Sequence, residues 1–291
     1  MRKIGKWLSH ASMGLASIVV IAITYAVGWR PFLGPRSRSL TARKFEASPE
    51  RLARGRYLAN GVTGSMHCHS EHDWKALGGP SIEAKLGAGQ VFPESDLAGV
   101  VTAPNLTPDP EMGAGSWSDD QLARAVCEGI GHDESTWFPL MPYEQYRAMF
   151  DEDLASSRRL YTTATPIRSS LPKTELIFPV KYLVRNAPQR LTAPELPPDL
   201  SSPVKRGEYL ARMAGCATCH TPQQRGQPNA AIGFAGGFPF NGPLPTVTSA
   251  NITPDPSGIP YYHENLFLEV MRTGKLRARS ARLCRSSPIE I

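Results

Sequence analysis

Cysteine is scarce in this sequence, with five in 291 residues, too few to staple a domain through disulfides. Blocks rich in lysine and arginine are missing too. The 32 basic side chains exceed the 26 acidic ones by a margin spread along the chain, which excludes a nucleic-acid partner. Charged residues make up only 20% and hydrophobic ones 41%, which argues against a disordered chain. What is abundant is glycine and proline. The 25 glycines and 27 prolines come to roughly 18% of the chain against about 12% in average usage, so loops are extensive. A length of 291 residues suits about two domains.

Residues 11–29 carry no formal charge. As a helix this run spans about 28 Å, close to the roughly 30 Å hydrocarbon core of a bilayer. Arg2, Lys3 and Lys6 precede it, and Arg30, Arg36, Arg38, Arg43 and Lys44 follow; charge alone therefore does not fix its orientation. The run ends in Tyr25, Trp29 and Arg30 without a small-x-small cleavage site. That favours an uncleaved transmembrane signal anchor over residues 1–30 rather than a cleaved signal peptide or a buried helix. Trp29 suits the outer interface.

The rest of the chain repeats one plan. Residues 53–70 read ARGRYLANGVTGSMHCHS and residues 205–222 read KRGEYLARMAGCATCHTP. Downstream, VTAPNLTPDP at 101–110 answers VTSANITPDP at 247–256. The copies are offset by roughly 150 residues, a period that means tandem domains and not a solenoid. We place one domain over 49–166 and a second over 204–291. A linker over 186–203 carries Pro188, Pro194, Pro197, Pro198 and Pro203. Each copy predicts a helix before its Cys-His pair, around Arg54–Leu58 or Arg206–Arg212. A Gly/Pro-rich loop follows, and then a second helix near Ser118–Cys127 or Glu264–Arg272. Ser118 and Gln121 have capping-box spacing, and Gly129 and Gly274 are C-terminal stops. Both Asn-x-Thr motifs match the glycosylation sequon, but the Pro after each Thr favours a structural turn.

Cys216-Ala-Thr-Cys219-His220 has the spacing of c-type haem attachment. Two thiols three positions apart add across the two vinyl groups on one haem edge, and His220 follows directly as proximal ligand. A thioredoxin-like pair would need a βαβ context, and a zinc site would need further Cys or His at ligand spacing.

The first copy departs from this. Gly64-Ser65-Met66-His67-Cys68-His69 has a serine where the first attachment cysteine belongs. A serine hydroxyl is too weak a nucleophile for that bond. Three outcomes stay open: one thioether through Cys68 with His69 on iron, a haem held without a covalent bond, or no haem. His67 and His72 read as solvated loop residues. Met141, set between prolines in Trp137-Phe-Pro-Leu-Met-Pro-Tyr143, is the candidate distal ligand. Met112 and Met149 read as packing.

The second copy offers no matching methionine. Position 286 would answer Met141 and is a serine. Met271 reads as core, and His263 reads as a helix start more than as a substitute ligand. The tail Ser280–Ile291, with Cys284, lacks the apolar loop and closing helix. The second domain is therefore expected to be C-terminally incomplete, with its haem five-coordinate or bound to water.

On these motifs (Arg54-Gly-Arg-Tyr57, Cys68-His69, Asn105-Leu-Thr-Pro-Asp109, Met141-Pro-Tyr143, Arg206-Gly-Glu-Tyr209, Cys216 to His220, Asn251-Ile-Thr-Pro-Asp255) the chain resembles membrane-bound dihaem cytochromes c. It is most similar in pattern to the cytochrome c subunits of bacterial alcohol and gluconate-type dehydrogenases, over roughly residues 50–275. The resemblance implies an all-α fold of two tandem cytochrome c-like domains after the transmembrane helix. It implies two haem c groups, with Cys68, Cys216 and Cys219 binding the cofactor and His69, Met141 and His220 on the metal. It also implies export, so that the haem domains face the periplasm from the bacterial inner membrane. Three departures stand out: Ser65, an interruption at 156–165 of the closing helix of the first domain, and the rewritten C-terminus after Arg279.

The function expected is electron transfer. Electrons from a periplasmic dehydrogenase catalytic subunit would pass to a quinone or an oxidase, and no catalytic acid, base or nucleophile is needed. Two alternatives are a degenerate, non-functional dihaem cytochrome and a dihaem peroxidase-like enzyme.

Overall fold

In the computed structural model the described residues are 2–26, 28–76, 79–92, 97–193, 195–224, 227–240 and 247–275. Helices dominate. They run α1 Arg2–Ala26, α2 Arg30–Leu33, α3 Pro49–Tyr57, α4 Ser65–Cys68, α5 Asp119–Glu128, α6 Tyr143–Tyr146, α7 Asp151–Thr163, α8 Val180–Leu183, α9 Pro203–Met213, α10 Cys216–His220 and α11 Glu264–Thr273. Strands are short: β1 Gln90–Phe92, β2 Gly99–Ala103 and β3 Glu175–Leu176 form an antiparallel sheet in that order. Two minimal hairpins pair β4 Gln223–Gln224 with β5 Gln227–Pro228, and β6 Pro239–Phe240 with β7 Val247–Thr248. The chain divides into two compact units. One is Met1–His72 with Ser81–Gly215, the other Asp73–Pro80 with Cys216–Ile291.

Within α1, Gly5–Ala26 is long and apolar enough to cross a membrane. Gly28, in the left-handed region with φ 75°, turns the chain out of it.

The two repeats start their helices alike. Ser48 caps α3 by accepting from Arg51 N at 3.2 Å, and Ser202 caps α9 by accepting from Lys205 N at 3.2 Å. A proline takes the first helical position in each, where its missing N–H costs nothing. The expected capping box forms on α5: Gln121 N donates to Ser118 Oγ at 3.1 Å, and Ser118 N to Gln121 Oε1 at 2.8 Å. α11 is capped instead by His263, whose Nδ1 accepts from Leu266 N at 3.3 Å. Gly129 and Gly274 end the two helices in the left-handed region, where glycine carries no Cβ penalty.

α3 crosses α7 closely. A Cβ at Gly55 would lie 2.0 Å from the Ser156 carbonyl oxygen, so only glycine permits this approach. Arg54 clamps Asp153 through two bonds of 2.8 and 2.9 Å, and Arg51 clamps Glu152 through bonds of 2.6 and 2.7 Å. The interruption expected at 156–165 is not there. α7 continues to Thr163, with Ser156, Ser157, Arg158, Leu160 and Tyr161 buried. The polar residues are accommodated in three ways. Small Ser156 backs onto Gly55, and Ser157 Oγ donates to Asp153 O at 3.0 Å. Arg158 donates to Asp119 Oδ1 at 2.8 Å and to Trp117 O at 2.7 Å.

The core of the first unit has two parts. Met66, Leu106, Trp117, Leu122, Leu160 and Tyr161 belong to one. Cys127, Tyr146, Met149, Leu154, Tyr209 and Met213 belong to the other. Thus α9, the opening helix of the second repeat, contributes to the core of the first unit. Tyr209 OH donates to Asp153 Oδ2 at 2.8 Å and accepts from Phe150 N at 3.2 Å. Residues 187–193 and 195–202 are irregular. Leu191 N donates to Glu128 Oε2 at 3.2 Å, and Arg147 donates to the Gln189 and Arg190 carbonyls.

An extended segment before α3 also fastens to α5. Arg38 donates to both Asp120 oxygens at 2.7 Å and to Glu128 Oε1 at 2.7 Å. Thr41 N donates to Asp120 Oδ2 at 2.6 Å, and Phe45 N to Asp119 Oδ2 at 2.8 Å. Burial alone would raise the Asp120 carboxyl. The Arg38 and Thr41 hydrogen bonds outweigh it and hold the group at about 2.

In the second unit the expected core position Met271 is 67% exposed, and Phe267 and Leu268 beside it on α11 are exposed as well. Met112, expected to pack, is also exposed. Residues 276–291, which include Cys284 and the tail whose rewriting the sequence suggests, lie outside the described residues, as does Pro194.

Candidate functional site

Both proximal-histidine candidates are held by the same device. His69 Nδ1 lies 2.7 Å from the carbonyl oxygen of Pro104, and His220 Nδ1 lies 2.8 Å from that of Ala250. A carbonyl only accepts, so Nδ1 is the donor in each ring and Nε2 is left as the position open to a metal. That is the tautomer and orientation control a metal-bound imidazole needs. Burial pushes His69 down to about 4 against the opposing effect of the Pro104 bond, so the ring is neutral at pH 7.

The two carbonyls are positioned by the repeated Asn-x-Thr-Pro-Asp-Pro turns. Asn105 Oδ1 accepts from Thr107 N at 2.8 Å and Thr107 Oγ1 at 2.7 Å. Asn251 Oδ1 accepts from Thr253 N at 2.9 Å and Thr253 Oγ1 at 2.7 Å. Asn105 also donates to Ile167 O at 2.7 Å and is buried, which supports the turn reading over the sequon.

In the first unit His69 and Met141 line one pocket. Ser65, Leu106, Trp117, Val126 and Trp137 complete much of its wall. The lining is mostly apolar, as a porphyrin face requires, with Thr63, Ser65, His69 and Ser157 among its polar members. Ser65 Oγ is 2.7 Å from Thr63 Oγ1. Cys68 ends α4 with an exposed edge, while desolvation of its sulfur pushes the thiol up. Met149, read from sequence as packing, is buried and lines the same cavity. This donor set and cavity fit a haem.

In the second unit Cys216 and Cys219 sit on α10, half-buried and free, with His220 closing the helix. Burial pushes both thiols up. The chemistry fits covalent attachment. His263 is engaged as the α11 cap, the role expected of it.

Two features were not foreseen. His67 lies on α4, not in a loop, and its Nδ1 is 3.0 Å from His72 Nε2. Cys127, unassigned from the sequence, is a core residue whose thiol burial pushes up to about 12. The Pro104 and Ala250 carbonyls escaped sequence reasoning because a backbone oxygen has no residue-type signature. The signal available was the matching Asn-x-Thr motif that follows each.

No family model matches the chain. Curated proteins do. It is 28% identical over 201 residues to the cytochrome c subunit of the quinone alcohol dehydrogenase of Gluconobacter oxydans, covering 66% of this chain and 39% of that protein. It is 27% identical over 241 residues to the fructose dehydrogenase cytochrome subunit of Gluconobacter japonicus, covering 79% and 46%. A diheme cytochrome c-type protein of Cereibacter sphaeroides is 28% identical over 166 residues, covering 53% and 55%. The chain spans 18% to 46% of the length of the first curated relatives it matches. The resemblance to dihaem cytochromes c and dehydrogenase cytochrome subunits, carried by the motifs, thus extends over 53% to 79% of the chain at 26% to 28% identity.

Proposed function

We propose that this chain is a membrane-anchored c-type cytochrome that carries electrons for a dehydrogenase. One observation carries the reading. The two residues chosen from sequence as axial ligands, His69 and Met141, line the same apolar cavity, and the His69 tautomer is set for metal ligation. When bound, haem c supplies an iron that gains and loses one electron.

The chain's residues would do the following. His69 Nε2 and Met141 Sδ would hold the first iron, and Cys68 would tether that haem by one thioether. Cys216 and Cys219 would tether a second haem, with His220 on its iron. Histidine–methionine ligation raises the potential, which suits accepting electrons. Leu106, Trp117 and Trp137 would keep water from the first haem face. α1 would hold both haem domains on the periplasmic side of the bacterial inner membrane. A dehydrogenase catalytic subunit would donate electrons, and a quinone or an oxidase would accept them. The names of the relatives support the dehydrogenase partner.

The test is redox potentiometry on the chain matured with haem. The reading expects two reversible one-electron transitions followed in the visible spectrum, with the higher one lost in Met141→Leu. A haem-loaded chain that undergoes no reversible reduction would refute it.

A further inference from the structure

The apolar surface of α1 does not end where the helix does. Trp29 packs against Phe32 at 6.2 Å between ring centroids, Phe32 against Tyr182 at 5.2 Å, and Tyr182 against Phe178 at 6.2 Å. This aromatic row joins α2 to α8. Arg185 donates to Pro31 O at 3.4 Å and secures the join. Yet the outer sides of the row face solvent: Leu33 is 77% exposed, Phe178 74% and Ile177 58%. A water-soluble surface rarely carries so much contiguous apolar side chain without a partner.

Arg30, next to Trp29 in the chain, lines an open surface pocket together with Arg36, Gln189 and Arg190. No carboxylate lines it, and among the described residues none of these three arginines forms an ion pair. Hydrogen bonds to backbone carbonyls hold both walls. Arg147 grips the Gln189 and Arg190 carbonyls, and Arg30 itself donates to Pro35 O at 3.3 Å. Three arginines line this one open pocket without a carboxylate among its lining residues, so an anion would complement their charge. Planar guanidiniums match the oxygens of phosphate with paired hydrogen bonds.

The aromatic row and the arginine cavity are continuous with a helix of bilayer-spanning length. Aromatic side chains are favoured at the headgroup level, and basic ones beside anionic lipid. We propose that Arg30, Arg36 and Arg190 bind the phosphate headgroup of an anionic phospholipid. Leu33, Ile177 and Phe178 then dip into the acyl boundary and seat the first unit on the bilayer. The proposal rests on α1 crossing the membrane.

The experiment uses the full haem-loaded chain in nanodiscs of phosphatidylcholine alone or mixed with phosphatidylglycerol, read by hydrogen–deuterium exchange. The expected result is phosphatidylglycerol-dependent protection of residues 28–36 and 177–190. That protection falls at least tenfold in Arg30→Gln/Arg36→Gln/Arg190→Gln, while the haem spectrum is unchanged. Equal protection in both lipids, or protection that survives the triple substitution, would overturn it. Inorganic phosphate added to the chain in nonionic detergent distinguishes the source. Equal protection by millimolar phosphate would make this a free-anion site and overturn the lipid assignment. Alkaline carbonate extraction reports on α1 separately. Release of the chain would refute the anchor itself, whereas a retained chain without lipid-dependent protection would refute only the headgroup site.

Discussion

The imidazole of His69 donates from Nδ1 to the backbone carbonyl of Pro104 across 2.7 Å. The same ring and Met141 line one pocket. His69→Gln removes the only imidazole at that position. We expect it to abolish the His/Met-ligated haem spectrum while leaving the Cys216–Cys219 haem intact. The check is the visible spectrum of the oxidised and reduced chain, in which the His/Met-ligated component should be lost.

Ser65 sits in the cavity wall where a second attachment thiol belongs. Ser65→Cys should form the missing thioether. Saturating the second vinyl group shortens the conjugated system, so the pyridine haemochrome band should move to shorter wavelength. Losing the contact with Thr63 should cost on the order of 1 kcal/mol, an effect readable in urea unfolding. An unmoved band would show that Ser65 does not face a vinyl group.

Gly55 and Gly207 occupy the same place in the two repeats but differ in surroundings. A Cβ at Gly55 meets the Ser156 carbonyl at 2.0 Å, whereas at Gly207 it meets nothing within 4 Å. Gly55→Ala should destabilise by about 1–3 kcal/mol through forced separation of α3 and α7. Gly207→Ala should stabilise by up to about 1 kcal/mol through helix propensity. Paired denaturant midpoints settle the contrast.

Arg38 neutralises two buried carboxylates, Asp120 and Glu128. Arg38→Met strands them, and we expect a loss of about 3–5 kcal/mol. The pH dependence has a defined sign. The folded-state value of Asp120 is depressed to about 2, below the roughly 3.9 of an unfolded aspartate. Its contribution is therefore present above pH 4 and lost as pH falls toward 2. Acid titration of stability should show that loss in the natural chain. In Arg38→Met, Asp120 keeps only its Thr41 hydrogen bonds and the loss should shrink.

Much of this was legible in the sequence, for reasons that can be named. The helix ends were readable because Ser118, Gln121, Gly129 and Gly274 act locally. His69 and His220 stood out as candidates because c-type attachment spacing puts a histidine directly after a cysteine. Continuation of α7 was not readable. Ser156 and Arg158 break its apolar pattern, and they are buried only because Gly55 and Asp119 come to them from distant parts of the chain. The exposure of Met271 was likewise hidden, since its burial depends on what lies against α11 and not on the helix itself. The Arg38 strap was invisible for the same reason: Arg38 lies 82 and 90 positions from Asp120 and Glu128 and meets them only in the fold.

Haem content per polypeptide tests the central claim most directly. The full chain is matured with haem and isolated from membranes, then assayed by pyridine haemochrome against protein mass, before and after acid–acetone extraction. The account predicts two haems per chain before extraction. It also predicts retained haem afterwards that disappears when Cys68, Cys216 and Cys219 are all replaced by serine. A folded chain with no haem, or with haem wholly removed by extraction, would contradict it.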